Sequence, residues 1–432
     1  MKVSRRQALM TTLFGAGAIG LRALATGIPA AVLLDPRRAL ADNTTCFDKD
    51  KAQFLILNTS AGGDPIGCNA PGMYDDPNIF HPNDPLLAPT QFALGDKTVT
   101  AAKPWSTLGK NVLARTCFFH HATKTSAHGD EDKVLRLMGG TNRNEMLASV
   151  LAKALAPCLG TVQPQPVSLG GTTITFEGRP LPVLQPTGIA AMLAKQTGAL
   201  ADLDKMRATD LDRLNAIVKS SGNNVQRDFI DRYATSRSQV KNISQDLLSV
   251  ISGLTDNDAD SQITAAVTLI RMNISPVMVV NIPFGQDNHT DPGFQLEIGE
   301  TVSGMATLNN LMTQLAAAGL TDKVTFASMN VFGRTLRQVY SGRGHNGDHH
   351  CTVMIGKGIK GGVAGGVQLG ANDQGKALPI DSKTGAASAS GDIAFVDGLA
   401  AAGTTLGRAV GLDPKYLQTQ IPTGVAVSAV LA

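Results

Sequence analysis

The run Pro276-Val277-Met278-Val279-Val280-Asn281-Ile282 is short, apolar and rich in β-branched residues, and it reads as a buried strand. Beyond it, Val302, Met305, Leu308, Leu311, Met312 and Leu315 recur at helical spacing, with Gly319 near the stop. Lys323 to Met329 reads as the next strand. Strand, amphipathic helix, strand is the repeating unit of a parallel sheet. Other runs extend it. Gln53 to Leu57 is an apolar strand that ends in a glycine-rich turn, Asn58 to Asp64. Asn111 to Phe119 runs into His120-His121, and Cys351 to Ile355 supplies a fifth strand. The expected fold is therefore an α/β sandwich, a largely parallel central sheet flanked by helices. Residues 186–260 differ in texture, with mixed charges and helical runs at Leu203 to Ser220 and Val225 to Leu254, and are expected to form a helical insertion. Ala364 to Gly391 is rich in Gly, Ala, Ser and Asp, which predicts a long surface loop with hairpin character.

The composition narrows the function classes. Of 432 residues, 43% are hydrophobic and 17% charged, which excludes a disordered polymer and a polytopic membrane protein. Ser4-Arg5-Arg6-Gln7-Ala8-Leu9-Met10 is a twin-arginine motif, followed by a moderately apolar stretch and a small-residue cleavage site at Ala39-Leu40-Ala41. Residues 1–41 are thus expected to be a Tat export signal. Residues 42–432 would be a single periplasmic or extracellular domain, with no membrane attachment after cleavage. The first 41 residues carry six basic groups and one acid, so the total of +3 leaves the remainder slightly acidic. Nothing in that balance calls for nucleic acid. The cysteines, Cys46, Cys68, Cys117, Cys158 and Cys351, form no C-x-x-C pair, and an oxidising compartment would allow one or two disulfides among them.

The polar residues that could do chemistry fall mostly just after the strands, where open α/β sheets bind ligands. Asp64, the His120–His128 segment, Asp287 with His289, and the Arg334–His350 segment are expected to converge there. Six of the eight histidines fall in two clusters, His120, His121, His128 and His345, His349, His350, and His289 follows Asp287 by two residues. Mixed His and Asp is a natural ligand set for zinc or manganese. Gly356 to Gly362 matches G-x-G-x-x-G but not a Walker sequence, and is expected to be a glycine-rich turn that lets backbone pass near the site. No G-x-S-x-G elbow occurs. Glu131 and Asp132 read as a charged helix start, and Trp105 as a packing residue.

Phe332-Gly333-Arg334-Thr335, then Asp348-His349, then Gly356-x-Gly358-x-Lys360-Gly361-Gly362 resembles the exported proteins of domain of unknown function 1501, distant relatives of the alkaline phosphatase and sulfatase superfamily. Gly62-Gly63-Asp64, Ser126-x-His128 and Gln286-Asp287-Asn288-His289 are similar to earlier segments of that family, so the resemblance spans most of residues 42–432. It implies an alkaline-phosphatase-like sandwich and a metal centre of Asp64, Asp287, His289, Asp348 and His349, with His345 as a further ligand. The metal would be divalent: zinc, manganese or calcium. Thr125 or Ser126 would be the nucleophile, and Arg334 would fork onto a phosphate- or sulfate-like group. The implied function is metal-dependent hydrolysis of a small-molecule phosphate or sulfate ester. Val331 stands where relatives carry an acid before F-G-R-T. That departure opens a second expectation, a catalytically reduced structural or binding component acting with a co-exported protein partner.

Overall fold

The computed structural model describes residues 46–193, 245–370 and 374–432, with scattered positions between 206 and 227. The expected export segment, 1–41, and most of the expected helical run Val225 to Leu254 lie outside the described residues, as does part of Leu203 to Ser220, whose described positions are helical. The sheet strands are β1 (Phe54–Asn58), β2 (Thr116–His121), β3 (Val167–Ser168), β4 (Val277–Val280), β5 (Val324–Ser328), β6 (His350–Ile355) and β7 (Gly362–Ala364). Their order across the sheet is β7-β2-β6-β5-β1-β4-β3. β3, β4, β1 and β5 pair in parallel, as do β2 and β7, whereas β6 runs antiparallel to both of its neighbours. The sheet is largely parallel, with one strand reversed.

The short apolar runs become strands because both of their faces are buried. Alternation along β1 sends Phe54 and Ile56 to one side and Leu57 and Leu55 to the other. On the first side lie helix α2 (Ala259–Arg271) and helix α3 (Gln295–Ala317), contributing Ile263, Leu269, Met305, Leu308 and Leu311. On the second lie helix α1 (Leu147–Leu159) and helix α4 (Gly398–Ala409), contributing Leu151, Leu155, Leu399 and Leu406. Burying the four large side chains of β1 supplies roughly 6–12 kcal/mol before chain entropy is subtracted. Trp105 packs as expected, edge-on to Phe118 and stacked over Phe284.

Three readings need correction or refinement. The run from Asn111 does not start as a strand: Lys110–Leu113 is a helical turn, and β2 begins only at Thr116. α3 begins at Gln295, a full two turns before the periodic stretch, because Asp291 accepts from the backbone amides of Leu296 and Glu297. The glycine-rich turn after Ile355 does not approach the site. Because β6 is reversed, its end lies at the opposite edge, where the Gly356 amide donates to Arg115 just before β2. Of the expected insertion, Pro186–Leu193 and Gln245–Ser252 are helical. The expected hairpin character of 364–391 is present, since Val367–Gln368 pairs with Lys376–Ala377, though Ile380 reaches the core. Glu131 and Asp132 do open a short helix. Among the described residues no helix is long and apolar enough to cross a membrane.

A disulfide joins Cys46 to Cys158 near the end of α1, and the remaining cysteines are buried and free. It closes a loop spanning 112 positions. Loop-closure entropy assigns such a link about 4–5 kcal/mol. A Cys46→Ser/Cys158→Ser variant should unfold at a correspondingly lower denaturant midpoint, and an unchanged midpoint would contradict that role.

His120 and His121 lie fully buried at the end of β2, and burial lowers them to about 4 and about 3 respectively. Both are held neutral by the fold. The unfolded chain takes up their protons below an ordinary value of about 6.5, so their contribution is intact above that pH and is lost as pH falls. Between pH 6.5 and 5 the pair should cost on the order of 4 kcal/mol. Denaturant titrations at pH 7.5 and 5 should show this drop above the carboxylate range, and a His121→Gln variant should remove about half of it.

Candidate metal centre

The reversal of β6 brings the site together. Parallel strands β1, β2, β4 and β5 end at one edge, and the antiparallel β6 begins there. The loops at 59–65, 122–130, 281–291 and 329–335 therefore meet the segment 336–349 that leads into β6. These are the segments in which the chemistry-bearing residues were expected.

Four side chains form a compact set. The donor atoms of His128, Asp287, His289 and His345 all lie within 4.8 Å of one another. Two of the rings are aimed from behind by backbone carbonyls. His128 Nδ1 is 2.6 Å from the Ala61 oxygen, and His345 Nδ1 is 2.6 Å from the Ser126 oxygen. A proton on each Nδ1 leaves Nε2 with its lone pair free, which is the arrangement metal-binding imidazoles need. His345 Nε2 is buried and has no hydrogen-bond partner. Burial also holds His345 below the ordinary imidazole value, favouring the neutral form that can ligate. His289 Nδ1 lies 2.8 Å from Asp287 Oδ1, and His128 Nε2 lies 3.5 Å from the same oxygen. Two donors on opposite sides of an ion at about 2.1 Å stand at most about 4.2 Å apart. The set is thus slightly open but has the right chemistry for one divalent ion.

The surrounding chain is built to hold these groups. Phe332 forms the floor, stacked on His345 at 4.4 Å and edge-on to His128 at 5.0 Å. Gly63, at φ +67, makes room for it: a Cβ there would collide with the Phe332 ring. Asp287 itself has a φ of 52°, an uncommon conformation for a non-glycine residue that aspartate tolerates better than most. The turn is pinned by Glu300, which accepts from the amides of Gly285 and Gln286, and by the Asp287 amide donating to Gly62. Partial burial pushes the Asp287 carboxyl up, but the Arg334 guanidinium 3.3 Å away outweighs it and holds the group below its ordinary range.

Arg334 is not an exposed fork. Its side chain is fully buried, with Nη2 donating to the Gly62 carbonyl and to Asp287 Oδ1. Among the described residues its Nε and Nη1 have no hydrogen-bond partner. Asp64, also fully buried, is engaged elsewhere: Oδ1 accepts from the Ile66 amide, and Oδ2 meets His350 Nε2 at 3.3 Å and the Asn330 amide group. His349 points into the sheet against His120, 3.0 Å from Nε2 to Nδ1. Asp348 is exposed in a neighbouring pocket. The structure therefore groups Asp287, His289 and His345 and leaves Asp64, Asp348 and His349 outside the set. Alternation explains the last of these, because consecutive residues entering β6 point in opposite directions. Thr125 donates to Asp130 Oδ2 at 2.7 Å, whereas the Ser126 hydroxyl accepts from the Gly347 amide at 3.1 Å and keeps its own proton free. Val331, standing where an acid was expected, is fully buried in the core.

Sequence reasoning gave His128 no ligand role and did not find the Asp64–His350 pair. It also missed Arg343 and Glu297, which tie the site loops together. Arg343 Nε and Nη2 bond both oxygens of Glu297 at 2.7 and 3.1 Å. The guanidinium also donates to the carbonyls of Thr335, Leu336 and Phe80, and Glu297 accepts from Asn69 and Asn288. Burial alone would weaken the charge on Arg343, but Cys68 and Glu297 beside it override that and push the guanidinium further up. Removing one member of a fully buried pair costs about 3–5 kcal/mol. Arg343→Met should lose that much stability in a denaturant titration, and a loss below about 1 kcal/mol would show that the pair is dispensable. Neither a scan against protein-family models nor a search of curated proteins finds a match to this chain.

Proposed function

We propose that this is an exported, alkaline-phosphatase-like protein that holds one divalent metal ion through His128, Asp287, His289 and His345 and hydrolyses a small phosphate or sulfate ester. The observation that carries the reading is the clustering of these four side chains with the Nδ1 atoms of His128 and His345 engaged by backbone carbonyls, which leaves both Nε2 atoms to serve as donors. Three imidazoles and a carboxylate suit zinc or manganese better than calcium, which prefers oxygen. When bound, such an ion supplies Lewis-acid polarisation and acidifies water. Of the two candidate nucleophiles, Ser126 keeps a free hydroxyl proton, whereas Thr125 is committed to Asp130, so Ser126 is the one assigned the role. Arg334 acts from behind, fixing Asp287 rather than gripping the ester. Export is supported by the twin-arginine motif and by the Cys46–Cys158 disulfide, a bond that persists in oxidising compartments.

Protein purified after export should carry close to one equivalent of zinc or manganese by elemental analysis. An Asp287→Ala/His289→Ala variant should lose the metal and at least a hundredfold in turnover of a nitrophenyl phosphate or sulfate. Absence of metal together with absence of turnover would end this reading. A second reading is favoured by one observation: four protein donors complete a tetrahedral zinc shell, which is the closed arrangement of non-catalytic sites. In that case the protein is a binding component that works with a co-exported partner. Stoichiometric metal with no ester turnover, and a partner retained on pull-down, would favour it.

A further inference from the structure

Beside the cluster, and sharing His345 with it, lies a pocket of about 200 Å³. At about 30 Å³ per water it would hold roughly seven, so it suits a small ligand rather than a polymer. Its walls come from two loops that are cross-bonded through their backbones. The amides of Thr123 and Lys124 both donate to the Gly347 carbonyl, at 3.0 and 2.8 Å, and the Gly347 amide returns a bond to Ser126 Oγ. A Cβ on Gly347 would run into the Thr125 backbone, so only glycine permits this approach. Lys124 pays a conformational cost, with a φ of 63°. What these loops present is unusual. Lys124 and Asp348 both line the pocket and both are exposed, yet among the described residues neither side chain has a hydrogen-bond or ion-pair partner. The Gln374 side chain is exposed beside them.

Opposite charges left unpaired around one small pocket are complementary to a ligand that carries both signs. We propose that this pocket receives the alcohol portion of the ester and selects one bearing both an ammonium and a carboxylate, that is, a phosphorylated or sulfated hydroxy-amino acid. Asp348 takes the ammonium, Lys124 takes the carboxylate, and His345 belongs to both the pocket lining and the cluster. The assignment of the ester rests on the hydrolase reading above; the recognition of the zwitterion does not. In the hydrolysis served, the Ser126 oxygen bonds to phosphorus or sulfur and gives up its proton as the alcohol oxygen leaves carrying one; water then breaks the seryl ester, its oxygen staying on phosphorus or sulfur and a proton returning to Ser126.

The test uses the whole purified protein, metal-loaded and metal-stripped, with O-phospho-L-serine, phosphoethanolamine, glycerol phosphate and inorganic phosphate as probes in calorimetry. The expected result is that O-phospho-L-serine binds at least tenfold more tightly than each of the other three in both forms of the protein. That preference should be lost in Asp348→Asn and in Lys124→Met, each checked for an unchanged melting temperature. Where turnover is seen, kcat/KM should follow the same order, with the variants acting through KM. Equal binding of the four probes, or a preference that survives both substitutions, overturns the inference whatever the hydrolytic activity. Nitrophenyl ester turnover with no amino-acid preference overturns it while leaving the hydrolase reading intact. Selective binding without turnover supports it and removes the hydrolase reading.

Discussion

Glu297 and Arg343 meet out of contact with water, and neither charge could remain there without the other. Their pairing obliges the start of α3, the Asn288 turn, the helical turn at Asn69 and the chain between Thr335 and Arg343 to come together at one place. Those segments frame the loops that carry Asp287, His289 and His345. A buried, fully bonded ion pair contributes little net stability compared with an apolar replacement. Its value here is geometric: alternative packings of these loops would strand a charge in the interior. The metal-ligand set sits on the margin of that arrangement, where a strained Asp287 and two of the three imidazoles are held in place by backbone bonds.

Much of this was legible in the sequence. Apolar runs of about five residues bounded by glycine turns are strands buried on both faces, and the helical period between Val302 and Leu315 is hard to mistake. The strand ends also told where polar residues would collect. Direction was not legible. Nothing in His350 to Ile355 distinguishes a parallel from an antiparallel strand, so the glycine-rich turn after it was expected on the wrong edge of the sheet. Asn111 to Leu113 looked extended because Val112 and Leu113 are apolar, yet a local helical turn satisfies their amides before the strand begins.

The site was partly legible for a related reason. Residue type and strand position gather Asp287, His289 and His345, but which way a ring points depends on its neighbours in the fold. His349 and His350 illustrate this: adjacent in sequence, they bond to His120 and Asp64 respectively. Four imidazoles buried in the β2–β6 ladder serve the packing of the sheet's polar end, and only three others join the cluster. A count of histidines cannot separate the two groups; the carbonyls of Ala61 and Ser126 do.

The donors of the cluster are contributed by the chain at residues 128, 287–289 and 345, more than two hundred positions from first to last. No fragment of the protein can assemble them, because each comes from a loop whose place is set by a different sheet strand. Ion affinity is consequently a property of the completed topology and not of any local motif. An ion captured there is linked to global unfolding, and its occupancy reports whether the whole sheet has closed.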